Sequence, residues 1–202
     1  MKKIIVSLLL IMVCLFTISC GEGNKVSVPD GMKLASSDND RFYLFVPASW
    51  TVDVAHGGPY AYYSASDASN VSVNFYISED VSSTTDTTNL TDTSVSGTET
   101  TKQTNPREKY IDAYWNTFVQ SMNTTVSEFK VIDVTETTLD SIYAKQYIYS
   151  FNLDNAVYKC RMVVTYPAQD LIFCLTYTSL EVNYDKHSSE IDKVIAEFKF
   201  NL

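Results

Sequence analysis

Apolar positions along the chain follow three patterns in turn: an unbroken run, alternation at every second residue, and recurrence at helical spacing. The unbroken run is Ile4 to Phe16, interrupted only by Ser7 and preceded by Met1-Lys2-Lys3. It is too short to span a bilayer as a helix, which takes about 20 residues, and it has the length of a secretory signal core. Gly21 to Ser37 is polar and weakly patterned, which predicts a tether over residues 20–37. Arg41 to Pro47 (RFYLFVP) is then the first predicted strand and Ser49 to Val54 the second. His56-Gly57-Gly58-Pro59 is a turn by composition. Tyr60 to Ser66 and Ala68 to Ser78 predict a hairpin around Asp67-Ala68-Ser69-Asn70. In its second arm Val71, Val73, Phe75 and Ile77 alternate with Ser72, Asn74, Tyr76 and Ser78, the pattern of a half-buried strand.

Helical spacing begins at Asn105-Pro106-Arg107-Glu108. Asn is placed to cap, Pro suits the first turn, and Glu108 is spaced to bond back to the cap. Tyr110, Tyr114, Phe118 and Met122 form one ridge, with Ile111, Trp115 and Val119 beside it. Alternation returns in Glu128–Glu136, Tyr143–Leu153, Ala156–Tyr166 and Leu171–Ser179, with turns at Asp154-Asn155 and Pro167-Ala168-Gln169-Asp170. Ser188 or Ser189 is expected to cap a last helix with Ile191, Val194, Ile195 and Phe198 on its buried face. Strands, one long helix, more strands and a last helix predict an α+β fold with a mostly antiparallel sheet of five to seven strands flanked by helices.

Between the two halves, Glu79 to Thr104 breaks every pattern. More than half of it is Ser or Thr, and Leu90 is its one large apolar side chain. A stretch of this composition cannot offset its ordering entropy, so residues 79–104 are expected to be a disordered insertion into a single domain, 38–202. The chain of 202 residues carries 14 Tyr and 10 Phe, a load suited to a β-rich core, and a formal charge of −9. That charge disfavours binding to nucleic acid or to bare anionic lipid.

Thr17-Ile18-Ser19-Cys20-Gly21, just after the apolar run, resembles a bacterial lipobox, with Ser19 at the small position and Thr17 where Leu is usual. The resemblance implies that residues 1–19 are a lipoprotein signal, that the Cys20 thiol receives a diacylglyceryl group, and that acyl chains such as palmitate anchor the protein at the extracytoplasmic face of the cell membrane. A plain signal peptide or a short membrane helix would leave Cys20 without a role. Loss of Lys2 and Lys3 leaves 13 basic against 24 acidic residues, a net of −11, so lipid rather than charge would hold the domain at the surface.

Candidate chemistry is sparse. Asp53, His56 and Asp67 are weak candidates for a metal site near one sheet end, with generic spacing. Asp185-Lys186-His187 has no distinguishing pattern, and Asp133 with Glu136 reads as solvent-facing strand decoration. No Gly-x-Ser-x-Gly elbow, Cys–His neighbourhood or Gly-rich phosphate loop occurs. Cys160 shares its strand side with Met162 and Val164, whereas Cys174 opposes Phe173 and Leu175. If the two apolar sides face the same way, the cysteines lie on opposite faces and stay free, buried thiols. A one-residue bulge would reverse that.

Phe45-Val46-Pro47-Ala48-Ser49-Trp50, followed by the central helix and by Ile191-Asp192-Lys193-Val194-Ile195-Ala196-Glu197-Phe198, resembles the PsbP/Mog1-like superfamily over about residues 33–202. The resemblance implies an α/β/α sandwich, a structural role for Trp50 and Phe198, no catalytic residues and no cofactor. It also implies an accessory or adaptor role, here with a possible envelope protein as partner. The alternative expectation is a small-ligand or metal-binding module, with Tyr60, Tyr62, Tyr63, Phe75 and Tyr76 of the hairpin lining a pocket.

Overall fold

A computed structural model describes residues 26–36, 41–54, 58–77 and 105–202. The apolar N-terminal run, Cys20, His56 and the insertion at 79–104 lie outside the described residues.

The four alternating stretches of the second half form a meander of β7 (Ser127–Leu139), β8 (Ile142–Leu153), β9 (Ala156–Ala168) and β10 (Leu171–Leu180). Two-residue turns make its first two corners. Asp140 and Ser141 have φ of 47° and 66°, and Asp154 and Asn155 have 50° and 63°. Two left-handed residues in succession match the twist of the flanking strands, and short polar side chains tolerate that conformation best. β4 (Thr51–Asp53), β5 (Tyr60–Tyr62) and β6 (Asn70–Ile77) join them in a seven-stranded antiparallel sheet of order β4-β5-β6-β10-β9-β8-β7. The last strand of the meander is thereby its centre, paired with β6 on one side and β9 on the other.

Two small ribbons complete the strands: β1 (Met32–Leu34) with β3 (Phe45–Pro47), and β2 (Phe42–Tyr43) with β11 (Lys199–Phe200). The first corrects the expected tether, because the fold already includes Met32, Ala35 and Ser36 as buried residues. The backbone shows why. Ala35 N donates to Leu44 O at 2.7 Å, and the Ser36 hydroxyl accepts from Leu44 N at 3.0 Å, so this polar-looking stretch has its bonds met by the neighbouring strand.

Helices cover both sheet faces. α1 (Glu108–Thr125) lies on one, where Ile111 and Trp115 pack with Tyr147, Tyr149, Cys160, Met162, Val164, Ile172 and Cys174. On the other, α2 (Glu181–Tyr184), a single 3-10 turn at Asp185–His187 and α3 (Ser188–Glu197) run in succession. There Trp50, Phe42, Leu44, Phe173, Leu175, Ile191, Val194 and Phe198 make the larger core. The result is a three-layer α/β/α arrangement.

Both expected helix starts differ in detail. Asn105 Oδ1 does accept a backbone bond, from Arg107 N at 3.0 Å, but the Glu108 carboxylate turns away to Lys145 Nζ at 2.7 Å. Lys145 projects from β8 with only 12% of its side chain exposed, and Asp112 meets it at 2.6 Å. A half-buried ammonium outcompetes a solvent-facing backbone N–H for the carboxylate. Ser188 lies within α3 and does not cap it, because the chain is already helical from Glu181.

Candidate functional site

Asp67, Ser69 and His187 come together under the end of the sheet. Asp67 sits in the β5–β6 hairpin turn with 7% exposure, and His187 ends the 3-10 turn with 3%. Ser69 Oγ donates to Asp67 Oδ1 and lies 2.9 Å from Ser179 Oγ. Lys186 Nζ reaches Asp67 Oδ2 at 2.9 Å, and Asn183 Nδ2 donates to the Asp67 carbonyl at 3.2 Å. His187 places Nε2 3.6 Å from Asp67 Oδ1 and Nδ1 2.7 Å from Glu190 Oε2. Its ring is 4.3 Å from that of Tyr63 and 5.7 Å from that of Trp50.

The electrostatics favour an ionised Asp67. Burial raises its carboxyl pKa, but the Ser69 hydroxyl and the Lys186 ammonium, with a smaller contribution from His187, outweigh burial and hold it below the ordinary value. The geometry is that of a fastener between the β5–β6 hairpin and the C-terminal helical run. It is not a nucleophile relay: the Ser69 hydroxyl is bonded to Asp67 and Ser179, not to an imidazole nitrogen.

Of the metal candidates, the structure brings Asp67 to His187 and Lys186; His56 lies outside the described residues. Among the described residues no three His, Cys, Asp or Glu side chains gather as a metal site. Asp185-Lys186-His187, to which the sequence pattern assigns no role, supplies two of Asp67's partners. The one available signal was a histidine ahead of a helix three residues before Glu190, and that spacing is common.

Cys160 and Cys174 are free and buried, as expected, but for a different reason. Cys174 pairs with Val164, so it shares the α1 face with Cys160 rather than opposing it. What keeps them apart is register: Cys160 lies opposite Thr178, four positions along, or about 13 Å at strand spacing. The apolar side of β9 and that of β10 face opposite layers, because both strands are buried on two sides. Burial pushes the Cys160 thiol up to about 11 and the Cys174 thiol to about 12.

The hairpin aromatics do not converge either. Phe75 pairs with Phe173 on the larger-core side, whereas the next residue, Tyr76, pairs with Ile172 on the α1 side. Tyr63 rests on His187, and Tyr60 and Tyr62 border a shallow hollow of 190 Å³. Of these five, only Tyr76 enters the cleft of 430 Å³ that lies between α1 and strands β6 and β10. Its walls are Tyr76, Tyr110, Tyr114, Phe118, Tyr166 and Ile172. Tyr110 and Tyr166 stack at 4.3 Å and 9°, and Tyr76 meets Tyr114 at 5.3 Å. The cleft exists because α1 covers β7, β8 and β9 more fully than β6, leaving the outer ridge of the helix half-buried.

No protein-family model matches the chain, and no curated protein matches it in sequence. Solved structures do. LpqN of Mycobacterium tuberculosis, described as involved in cell envelope biogenesis, superposes with a TM-score of 0.52 at 12% identity, over 83% of this chain and 90% of that one. Cyanobacterial PsbP (CyanoP) from Synechocystis sp. PCC 6803 superposes with a TM-score of 0.53 at 15% identity, over 90% of this chain and 98% of that one. The chain has the PsbP/Mog1-like fold. In this PsbP/Mog1-like frame Trp50 and Phe198 are fully buried, which agrees with the structural role that the resemblance implied for them. Among the described residues no helix is long and apolar enough to cross a membrane.

Proposed function

We propose that this is a lipid-anchored, extracytoplasmic accessory protein of the cell envelope that works by binding a partner rather than by catalysis. The observation that carries the reading is the short distance from Cys20 to the folded domain. Val26 already packs against the larger core, so only five residues lie between it and Cys20, a span of at most about 22 Å when fully extended. A diacylglyceryl group on Cys20 would hold the domain against the bilayer surface. Two or three acyl chains at ~0.8 kcal/mol per buried CH₂ make such an anchor durable, and the charge of −11 keeps the domain from adhering to anionic lipid. The binding role is supported by the use made of the buried polar groups. Asp67, Ser69 and Ser179 fasten the β5–β6 hairpin to the end of β10 and the C-terminal run, and only Lys186 among their side-chain partners is largely open to solvent. LpqN, with the same fold, is described as an envelope-biogenesis protein.

Expression in a bacterial host with an alkyne-tagged palmitate tests the anchor. The native chain is expected to take up the tag and sediment with membranes, and Cys20→Ala to lose both properties. Equal labelling of the two would remove lipidation at Cys20 from the reading. Mild cross-linking of the anchored protein in its native membrane tests the accessory role. Capture of one abundant envelope complex is expected, lost when the folded domain is deleted and kept when residues 79–104 are.

A further inference from the structure

We propose that the cleft beside α1 binds a single-chain amphiphile with a carboxylate head, a fatty-acid anion, with its tail along the helix and its head at Arg107. This does not depend on the lipid anchor.

The cleft is long, apolar and of ligand size. Along α1 it is lined by Tyr110, Ala113, Tyr114, Thr117, Phe118 and Ser121, a stripe at helical spacing. Eleven steps of rise make that stripe about 16 Å long. One leaflet's acyl chains fill half of a hydrocarbon core about 30 Å thick, so the stripe and an extended acyl chain are matched in length. The volume of 430 Å³ falls in the range of about 300–1,000 Å³ usual for small-molecule sites. The lining is aromatic and aliphatic carbon on three sides, with Ala113 and Ser121 leaving room on the fourth. A compact polar ligand would find few partners there, whereas each methylene entering it leaves water.

The head is placed by charge. A second hollow, bounded by Pro106, Arg107, Tyr110, Tyr166 and Gln169, adjoins the first and shares the Tyr110–Tyr166 stack as a common wall. Arg107 Nε donates to the Tyr166 carbonyl at 3.0 Å, which holds the side chain at that wall and leaves its two terminal nitrogens to present a planar fork. Among the described residues no carboxylate lies within ion-pairing distance of Arg107. Lys109 Nζ sits 4.6 Å from the centre of the Tyr110 ring, adding a second cation at the same end. The nearby acids of α1, Glu108 and Asp112, are engaged by Lys145 on the other side of the helix. In a chain of net charge −9, two cations with no acidic partner among the described residues stand at one end of this apolar cleft. That polarity, cation at the end and carbon along the length, is the complement of an amphiphilic anion.

The test uses the full chain reconstituted in phosphatidylcholine vesicles, with hexadecanoate carrying a photoactivatable diazirine and an alkyne, and the same molecule as its alcohol. Saturable labelling by the carboxylate is expected, with adducts mapped to residues 108–125 and to the ends of β6 and β10. Ala113→Trp fills the cleft from its exposed lip without removing any packed group. It is expected to weaken half-saturation about tenfold, equivalent to 1.4 kcal/mol, with unchanged circular dichroism. Arg107→Glu should weaken carboxylate binding about fivefold and leave the alcohol unaffected, while Arg107→Lys retains most of the affinity. Adducts confined to the N-terminal apolar run, labelling that never saturates, or labelling indifferent to Ala113→Trp would overturn the site. Equal handling of carboxylate and alcohol by the native chain and Arg107→Glu would overturn the anionic ligand.

Discussion

The two faces of the central sheet are covered in different ways. On one, the N-terminal ribbons and the C-terminal helical run interlock around Trp50, Phe42, Phe173, Leu175 and Phe198, all at 2% exposure or less. There Asp67 ties the β5–β6 hairpin to the C-terminal run through Ser69, Asn183 and Lys186. On the other face a single helix, α1, lies across the sheet with a sulfur- and tyrosine-rich layer beneath it, and its outer ridge remains half-open along a cleft. The first face closes because three chain segments distant in sequence converge on it. The second stays partly open because one helix about 10–12 Å wide cannot cover a seven-stranded sheet. The closed face is therefore expected to carry more of the stability, whereas the open one holds the cleft.

The largest expected effect tests that division directly. Trp50→Ala removes a fully buried indole from the closed face and is expected to cost about 3–5 kcal/mol, the upper range for aromatic truncation. Phe118→Ala, on the half-open ridge, is expected to cost about 1–2 kcal/mol, since the side chain gives up only part of its area. Chemical denaturation of both variants measures the gap, and equal losses would break the comparison.

Next comes Asp67→Ala, which takes from the Ser69 hydroxyl and the Lys186 ammonium their carboxylate acceptor. A loss of about 1–3 kcal/mol is expected near neutral pH. The folded Asp67 pKa is depressed, so its contribution is complete above the unfolded value of about 3.9 and is lost as pH falls through the lower folded value. The native chain should therefore lose stability more steeply than the variant below about pH 4, a difference that acid titration of the melting temperature reads out.

Lys145→Met on the open face is a smaller change. Burial lowers the ammonium pKa, but the hydrogen bonds it donates to Asp112 and Glu108 outweigh that, and the net shift is upward. Its contribution is thus complete below the unfolded value of about 10.4 and is lost as pH rises through the higher folded value. About 0.5–1 kcal/mol is expected after solvent screening, measured as the difference between the two denaturation curves at pH 8 and its disappearance in strong alkali. Smallest of all, Cys160 and Cys174 should resist iodoacetamide at pH 8 in the folded chain and react promptly in denaturant, because buried thiols held near 11 and 12 carry little thiolate. Rapid modification of the folded chain would mean that the layer beneath α1 opens readily.

Much of the architecture was legible because local signals agreed. Asn105-Pro106 and the ridge from Tyr110 to Met122 specify α1, and Asp154-Asn155 between two alternating runs specifies a hairpin. The cysteine faces were not legible. β10 is buried on both sides from Leu171 to Tyr177, and a strand with two apolar faces carries no parity by which to orient it. The start of the domain was missed for a related reason: Met32-Lys33-Leu34 is too short to show a period, and only its partner Phe45–Pro47 makes it a strand.

The candidate sites divide along the same line. By itself the sequence determined the apolar N-terminal run with Cys20 just after it, the acidic charge, the α+β class and the aromatic stripe of α1, because each is legible from composition or from neighbours within a few residues. Tertiary structure alone decided that Asp67 meets Lys186 and His187 across more than a hundred residues. It also decided that Tyr76, Tyr110 and Tyr166 enclose one cleft, and that Arg107 stands at its end. Those juxtapositions follow from strand order and register, which place β10 beside β6 and β9, and strand order is a global outcome of packing that no local pattern encodes.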